Sequence, residues 1–400
     1  MNPSHKHDPY AWLRDKNWRA AMQDPQQLEP AIRAFLTAEN DYANGVMAAV
    51  EPLRKALVKE LRGRLREDDS SVPSPDGPWL YYTRYRDGGQ QPLVCRRPID
   101  SPADTGEQLL LDGDAEAADS EYFRLGSAAH SPNHRYLVYA VDRVGAEAFV
   151  LRIRDLQTGK DLPEQIEDAR GDMAWASDSA QFLYTRIDEE YRPRWVYRHC
   201  LGAPAGDDRL VYTEPDPGFF LSVEQTESGR FLLIDSHDHT TSEVRWLEAS
   251  RPDMTPRVIA PRERDVEYSV SDSGSEWFIL TNADGAEDFC ICRAPIGATT
   301  RADWRPWIAH ESGRLIESML VFERWLVREE LTEATPRIVV RSLITGDEHV
   351  ITDDEECVEL GLSPGFEYAT HTLRFVRSSF TRPAEVYDYA MDTRERVLRK

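Results

Sequence analysis

The stretch Ser131-Pro132-Asn133-His134-Arg135-Tyr136-Leu137-Val138-Tyr139 joins a turn to a short apolar strand, and this pattern recurs along the chain. Proline and asparagine favour tight turns, whereas aromatic and β-branched residues favour the half-buried strands of a sheet. An aromatic residue or a leucine begins such a strand at seven positions, which are Trp79, Tyr136, Phe182, Phe231, Trp277, Trp325 and Leu373. The intervals of about 46 to 57 residues match propeller blades of four strands each. The sequence therefore predicts an all-β, seven-bladed propeller over residues 78–400.

Residues 1–69 follow a different pattern. Leu53, Leu57, Leu61 and Leu65 recur at four-residue spacing, which is typical of an amphipathic helix. Residues 70–77 lack this period and are rich in serine, proline and glycine, which favour turns. We therefore expect an α-helical N-terminal arm over 1–69 and a hinge or linker over 70–77.

Composition and charge restrict the classes of function. The 400 residues carry a formal net charge of -23, which disfavours nucleic acids and anionic membranes as partners. The five cysteines include no C-x-x-C pair, and free thiols are expected. The chain contains neither a long apolar run nor an apolar N-terminal leader, so a cytoplasmic protein is predicted.

One catalytic pattern occurs, and its chemistry is defective. Residues 361–365 read Gly-Leu-Ser-Pro-Gly and fit the G-x-S-x-G nucleophile elbow. In that motif the residue after the serine donates its backbone N–H to the oxyanion, but Pro364 has no N–H. The His237-Asp238-His239 run is interpreted as a solvated turn, because no further ligand cluster lies nearby in sequence. The sequence predicts no catalytic residue, no metal ligand and no cofactor.

Several longer segments carry a family resemblance. The chain resembles the prolyl oligopeptidase family of serine peptidases, and within it oligopeptidase B. The segments that carry the resemblance are residues 8–15 (Asp-Pro-Tyr-Ala-Trp-Leu-Arg-Asp), 35–40 (Phe-Leu-Thr-Ala-Glu-Asn), 63–73 (Gly-Arg-Leu-Arg-Glu-Asp-Asp-Ser-Ser-Val-Pro), 196–199 (Val-Tyr-Arg-His), 240–244 (Thr-Thr-Ser-Glu-Val) and 377–383 (Arg-Ser-Ser-Phe-Thr-Arg-Pro). The resemblance implies a propeller that caps an α/β-hydrolase domain and an enzyme that cleaves short peptides after Arg or Lys.

The resemblance also implies where this portion of such an enzyme meets its partners. In the family the catalytic Ser, Asp and His follow the propeller, so the α/β-hydrolase domain is expected to be absent from this chain and the chain to be inactive alone. The expected partners are this hydrolase domain and, in the complete enzyme, short basic peptides. The implied hinge residues are Ser70, Ser71, Val72, Pro73 and Arg396. The arm residues implied to face the hydrolase are Trp12, Leu13, Trp18, Phe35 and Leu36.

Two other functions stay open at this stage. The chain could be a stand-alone propeller that binds peptides or proteins, or one half of a split peptidase whose hydrolase is a separate chain. An apolar face kept on the arm favours a covering partner, because a protein selected to stand alone is expected to lose such a face.

Overall fold

The computed structural model describes residues 8–102, 105–355 and 357–400. Three helices form the N-terminal region, which confirms the helical arm predicted from the leucine spacing. Proline lies in the first turn of the second and third helices, where its missing N–H breaks no helical hydrogen bond. These helices are α1 (Trp18–Gln23), α2 (Pro30–Met47) and α3 (Glu51–Gly63). Short 3-10 helices cover Ala11–Leu13, Pro25–Gln27, Ala48–Val50, Ala205–Asp207, Ala283–Gly285 and Arg301–Asp303.

The remainder is built from antiparallel sheets whose strands follow one another in sequence. The first sheet contains β1 (Ser74–Asp76), β2 (Trp79–Arg84), β3 (Leu93–Pro98) and β4 (Gln108–Asp112), and a short helix α4 (Gly113–Ala117) follows it. The second sheet has seven strands, which are β5 (Arg124–His130), β6 (Tyr136–Asp142), β7 (Phe149–Asp155), β8 (Lys160–Trp175), β9 (Gln181–Ile187), β10 (Pro193–Cys200) and β11 (Arg209–Thr213).

Four further sheets have four strands each. The third contains β12 (Phe220–Gln225), β13 (Phe231–His237), β14 (Ser242–Glu248) and β15 (Arg257–Val258), and the fourth contains β16 (Tyr268–Asp272), β17 (Glu276–Thr281), β18 (Cys290–Pro295) and β19 (Arg305–Ile308). The fifth contains β20 (Arg314–Val321), β21 (Trp325–Thr332), β22 (Thr335–Ser342) and β23 (Glu348–Ile351), and the last contains β24 (Val358–Leu362), β25 (Thr372–Ser379), β26 (Glu385–Ala390) and β27 (Arg396–Leu398).

The predicted number of separate blades is wrong, although the propeller itself is confirmed. The described residues form five separate four-stranded blades, while residues 124–213 form one continuous sheet. Its strand β8 is 16 residues long and pairs with β7 through its first part and with β9 through its last part. No Gly- or Pro-rich turn interrupts this strand; Gly171, at φ 108°, lies within an irregularity that bends it instead. Two sequence repeats are therefore merged through one strand.

The seven repeat residues occupy equivalent places in the strands. Each is the first or second residue of the second strand in its repeat, from Trp79 at the start of β2 to Leu373 in β25. Their side chains form cores between adjoining sheets. Trp277, for example, is fully buried and packs against Phe231 and Trp246, with ring centroids 4.8 and 5.8 Å away. The apolar period thus specifies the packing of one sheet on the next.

The first strand of each repeat lies innermost in the propeller. β16 packs against β20, and β12 packs against β8, so neighbouring first strands approach one another. Within the described part of the chain, no helix is both long and apolar enough to cross a membrane. The prediction of a cytoplasmic protein depended on the sequence at the start of the chain, where residues 1–7 lie outside the described residues, and it stays a prediction.

Candidate functional site

The segment that joins the arm to the propeller runs antiparallel to β2. The Ser71 N–H donates to the carbonyl oxygen of Thr83 at 2.8 Å, and the Thr83 N–H donates to Ser71 Oγ at 3.0 Å. Tyr85 N–H donates to the carbonyl of Asp69 at 2.8 Å, and Ser70 forms an isolated bridge with Arg84. Residues 69–71 therefore extend the first sheet past β1.

Lys400 lies beside the segment through which the chain enters the propeller. Lys400 Nζ donates to Asp69 Oδ2 and to the carbonyl oxygen of Ser70, both at 2.7 Å. The ammonium group holds the pKa of the Asp69 carboxyl below its usual value, because it stabilises the charged form. The backbone of Lys400 is fixed in turn, since its carbonyl accepts from Val386 N–H at 2.9 Å. Two segments more than 300 residues apart in sequence thus lie side by side.

Arg374 joins the last sheet to the segment after the hinge. Its Nη1 donates to the carbonyl oxygens of Val72 and Pro73 at 3.2 and 3.0 Å, and to Ser74 Oγ at 2.9 Å. The rest of the guanidinium group makes two bonds with the Asp388 carboxylate at 2.7 and 3.1 Å. Because the first and last sheets share no strand, this arginine is a principal polar connection between them.

Four of the five predicted hinge residues come together, and the fifth lies elsewhere. Ser70, Ser71, Val72 and Pro73 form the entering segment, whereas Arg396 lies in the outermost strand β27 and stacks over the Tyr387 ring at 5.0 Å. Sequence reasoning missed Lys400 and Arg374, which hold the segment in place. Neither residue belongs to a motif, so only proximity in the folded chain identifies them.

Some of the predicted arm residues pack against other side chains, and some are largely exposed to solvent. Trp12 packs edge-on against Phe35 at 5.2 Å yet is 46 % exposed, and Leu36 is 45 % exposed. Trp18 packs against Tyr191 of the propeller at 6.1 Å. Leu13 is half-buried. The arm is thus attached to the propeller near α1, while much of its apolar surface is exposed to solvent.

Helix α3 also has an exposed apolar face. Leu53, Leu57 and Leu61 are 59, 47 and 59 % exposed, and no residue of this helix is buried. On α2 the buried residue is Ile32. Since the leucines recur at four-residue spacing, they form one continuous stripe along the helix.

The attachment of the arm is polar as well as aromatic. Arg19 lies 3.6 Å from Glu189 and 3.3 Å from Glu190, both in the loop between β9 and β10. Asp15 accepts from the backbone N–H groups of Asn17 and Glu29 at 2.7 and 2.9 Å, and these bonds lower the pKa of its carboxyl. A cavity of about 500 Å³ separates α1 from the seven-stranded sheet.

Carboxylates face solvent on three innermost strands. They belong to Glu224 on β12, Glu317 on β20 and Glu359 on β24. Surrounding protein and the nearby Asp235 raise the pKa of the Glu224 carboxyl. Burial raises the pKa of Glu227, just after β12, to about 7. Three of the innermost strands therefore each carry an exposed carboxylate.

A polar cluster that the sequence analysis did not identify lies between the first and second sheets. Asp76 ends β1 and its Oδ2 lies 2.6 Å from His130 Nε2, at the end of β5. One possible ligand atom each from Asp76, His130 and His134 lies within 4.8 Å of the other two. Tyr81 stacks on the His130 ring at 3.8 Å, and its hydroxyl lies 3.0 Å from His134 Nδ1. These are the residues that could hold a metal ion.

The structure also shows where the G-x-S-x-G match and the His237-Asp238-His239 run lie. Ser363 lies in the turn between antiparallel strands β24 and β25, and its N–H donates to the Arg374 carbonyl oxygen at 3.0 Å. A nucleophile elbow needs a helix after the serine instead. His237 Nδ1 lies 2.7 Å from Asp235 Oδ2, and Asp238 accepts from two backbone N–H groups of its own turn.

The adjacent acidic residues Glu329 and Glu330 lie in a strand, β21, and not in a loop. Glu330 is fully buried and is paired with Arg328 at 2.5 Å and with Arg337 at 2.6 Å. Arg328 on the same strand and Arg337 on β22 satisfy the carboxylate, so a buried strand can hold this acidic residue.

Comparison with known proteins gives one consistent match. The profile of the prolyl oligopeptidase N-terminal β-propeller domain matches residues 1–400. Dipeptidyl aminopeptidase BI of Pseudoxanthomonas mexicana is 34 % identical over 405 residues, which cover 98 % of this chain and 54 % of that protein. Protease 2 of Moraxella lacunata is 28 % identical, over 73 % of this chain and 41 % of that protein.

Solved structures of similar fold agree. Oligopeptidase B from Leishmania major superposes with a TM-score of 0.92 at 25 % identity, covering all of this chain and 57 % of that one. Oligopeptidase B from Trypanosoma brucei, with covalently bound antipain in a closed form, gives 0.90 at 27 % identity, covering 98 % and 55 %. This chain spans about half the length of these proteins.

Proposed function

This chain belongs to the family of prolyl oligopeptidase N-terminal β-propeller domains, and we propose that it forms the arm and propeller of an oligopeptidase B-like serine peptidase. The complete enzyme cleaves short peptides after Arg or Lys. The propeller limits the size of substrates and controls their access to a catalytic hydrolase domain, without which this chain is inactive. The observation that carries the proposal is the superposition on oligopeptidase B over the whole chain at a TM-score of 0.92.

The exposed face of the arm supports a covering hydrolase domain. Leu53, Leu57 and Leu61 form an apolar stripe about half exposed to solvent, and a stable monomer seldom keeps such a stripe uncovered. The same stripe disfavours a stand-alone binding module. It does not distinguish a hydrolase in the same chain from one supplied by a separate chain.

The exposed carboxylates on the innermost strands support basic peptides as substrates. Glu224, Glu317 and Glu359 lie on innermost strands, and the net charge of the chain is -23. A narrow opening lined by carboxylates raises the local concentration of cationic ligands and speeds their association. Peptides with Arg or Lys are therefore favoured over acidic peptides before any catalytic residue contacts them.

The hinge role of the entering segment rests on its few and local contacts. Residues 70–73 are held mainly by backbone pairing with β2 and by the side chains of Lys400 and Arg374. Pro73 has a fixed φ and also restricts Val72 to extended conformations, so it limits where this segment can bend. In the proposal the propeller swings on this segment and opens a path to the catalytic domain.

The decisive experiment measures hydrolysis of a chromogenic peptide that ends in arginine. The isolated chain is expected to show none, and a fusion to the catalytic half of the Pseudoxanthomonas mexicana relative is expected to show turnover. A disulfide clamp across the hinge should slow that turnover, and reduction of the clamp should restore it. Undiminished turnover with the clamp closed would contradict the gating role, and activity of the isolated chain that is lost in Ser363→Ala would overturn the whole proposal.

A second candidate function comes from the relative with 34 % identity, whose name states a dipeptidyl aminopeptidase activity. That activity releases dipeptides from a free N-terminus, whereas the first candidate accepts blocked peptides. The same fusion can be tested with two substrates, one with a free amino group two residues before the cleaved bond and one with that group acylated. Equal rates favour the oligopeptidase, and loss of activity on acylation favours the aminopeptidase.

A further inference from the structure

His134 occupies a backbone conformation that a histidine seldom adopts. Its φ is 59°, in the left-handed region, where a β-carbon is unfavourable. The equivalent turn residues of the next two repeats are Ser179 and Gly229, each of which likewise donates its N–H to the carbonyl three residues earlier. Glycine meets this requirement at no steric cost. A histidine at this position is explained if its side chain contributes something that glycine cannot.

The side chain of His134 points toward two other metal-binding side chains. Ligand atoms of Asp76, His130 and His134 lie within 4.8 Å of one another. His134 Nδ1 lies 3.0 Å from the Tyr81 hydroxyl, and Nε2 lies beside Gly77, where a β-carbon would come within 3.0 Å of it. Metal-bound histidines commonly have such a partner on the second nitrogen, because it fixes the tautomer and the ring orientation.

We propose that Asp76, His130 and His134 form a binding site for Zn²⁺. Two imidazoles and one carboxylate are a donor set that zinc prefers, with bonds of about 2.0 to 2.2 Å that place tetrahedral ligand atoms about 3.3 Å apart. The contact of 2.6 Å between Asp76 and His130 must open by less than about 1 Å, and the His134 ligand atom, which lies within 4.8 Å of the other two, must move closer to them. A water molecule completes the coordination.

The charges around the site are compatible with a bound cation. Asp76 supplies one negative charge to the site. The nearby Arg96 opposes a cation, but its guanidinium group is engaged elsewhere. Its Nη1 donates to the His134 carbonyl oxygen at 2.6 Å and to the Tyr81 hydroxyl at 3.3 Å, and the group stacks over Trp79 at 4.0 Å.

A metal ion can reach the site from solvent. His130 lines a cavity of about 360 Å³ together with Tyr81, Phe366 and the entering segment at Ser71. The His130 side chain is 9 % exposed and that of Asp76 is 28 % exposed. Since Asp76 belongs to the first sheet and both histidines to the second, Zn²⁺ links the two sheets directly after the hinge. The site does not depend on the proposed peptidase function.

The test is a competition titration of the chelator-treated chain with ZnCl₂ and a chromogenic zinc indicator. We expect one equivalent bound at micromolar or lower Kd. His134→Gly removes one ligand and supplies the residue that the left-handed turn prefers, so the fold is retained, as circular dichroism can verify. Its affinity should fall at least about 100-fold, the upper end of the loss seen when a supporting partner of a ligand is removed.

The matched control is His239→Ala, which removes an exposed histidine outside the cluster and should bind zinc as the unmodified chain does. A second readout is the absorption spectrum of the Co²⁺ form, whose visible bands should be those of a four-coordinate site and should disappear in His134→Gly. Absence of a bound equivalent, or equal affinity in the unmodified chain and in His134→Gly, would overturn the proposal. In His130→Asn the affinity must also fall.

Discussion

The arm and the propeller contain similar apolar residues, but the two regions differ in how far these side chains are buried. In the propeller, Trp277 and its neighbours are buried between sheets, and the side chains interlock. On α3, Leu53, Leu57 and Leu61 remain about half exposed. The propeller therefore satisfies its own apolar surface, whereas the arm offers apolar surface to a partner. The difference separates residues that stabilise this chain from residues that are available for assembly, and mutations can test that separation.

The largest difference should appear between a core tryptophan and an arm leucine. Trp277→Ala should lower the free energy of unfolding by about 3–5 kcal/mol, because it removes a fully buried ring and leaves a cavity. Leu61→Ala should change it by no more than about 0.5 kcal/mol, as an exposed substitution does. Urea unfolding followed by tryptophan fluorescence and circular dichroism measures both. Equal losses in the two variants would contradict the comparison.

Charged groups should show a similar contrast. Glu330 is fully buried in contact with Arg328 and Arg337, and Glu330→Ala leaves buried arginine charge without this partner. We expect a loss of about 3 kcal/mol, near the lower end for a broken buried pair, since Arg328 retains Glu348 at 2.8 Å. On the arm, Glu51→Ala removes the exposed partner of Arg54 and should leave the urea midpoint nearly unchanged. The prediction is checked by comparing the urea unfolding midpoints of Glu330→Ala and Glu51→Ala, of which only the first should fall clearly.

The inner surface should make stability depend on pH through Glu227. Its pKa is about 7 in the folded chain and near 4.5 when unfolded, because burial disfavours the charged carboxylate. Its contribution is therefore fully present below about pH 4.5 and is lost as pH rises toward 7, a change of up to about 3 kcal/mol. Glu227→Gln should lack this loss. Comparison of the two unfolding free energies at about pH 5 and pH 8.5 cancels the groups that both share, and parallel curves would refute the prediction.

The smallest effect concerns the contact between the two segments at the hinge. Lys400→Ala removes an exposed ion pair with Asp69, and such pairs contribute about 0–1 kcal/mol. Global stability should hardly change. Trypsin should nevertheless cut the chain after Arg64 or Arg66 a few times faster, because the entering segment loses one of its fixed contacts. Lys160→Ala, at the exposed first residue of β8, is the matched control and should leave that rate unchanged.

The repeat period predicted the strands well because each strand is specified by local residues. Every repeat residue from Trp79 to Leu373 is the first or second residue of a strand, as expected. The separation of one blade from the next is not specified by local residues. Strand β8 continues through Gly171 into the next repeat instead of turning. A single bend in place of a turn changed the number of sheets, and the composition of residues 160–175 carries no clear signal for it.

For the candidate sites, the sequence predicted the segments that are continuous and missed those assembled from distant parts. Residues 70–73 were identified as a hinge because the family resemblance and turn formers coincide there. Arg374 and Lys400 were missed because they meet that segment across about 300 residues of chain. The Asp76, His130 and His134 cluster was missed for the same reason, since its members belong to two sheets.

The sequence by itself determined a helical arm, a repeated antiparallel strand unit and a family. Those properties follow from apolar spacing and turn residues, which act over a few positions. Only the tertiary structure decided which carboxylates line the interior, which apolar face stays uncovered and which side chains meet at the junction of the first, second and last sheets. The physical reason is that burial and charge pairing depend on distances in space, and ring closure brings together residues that no local pattern relates.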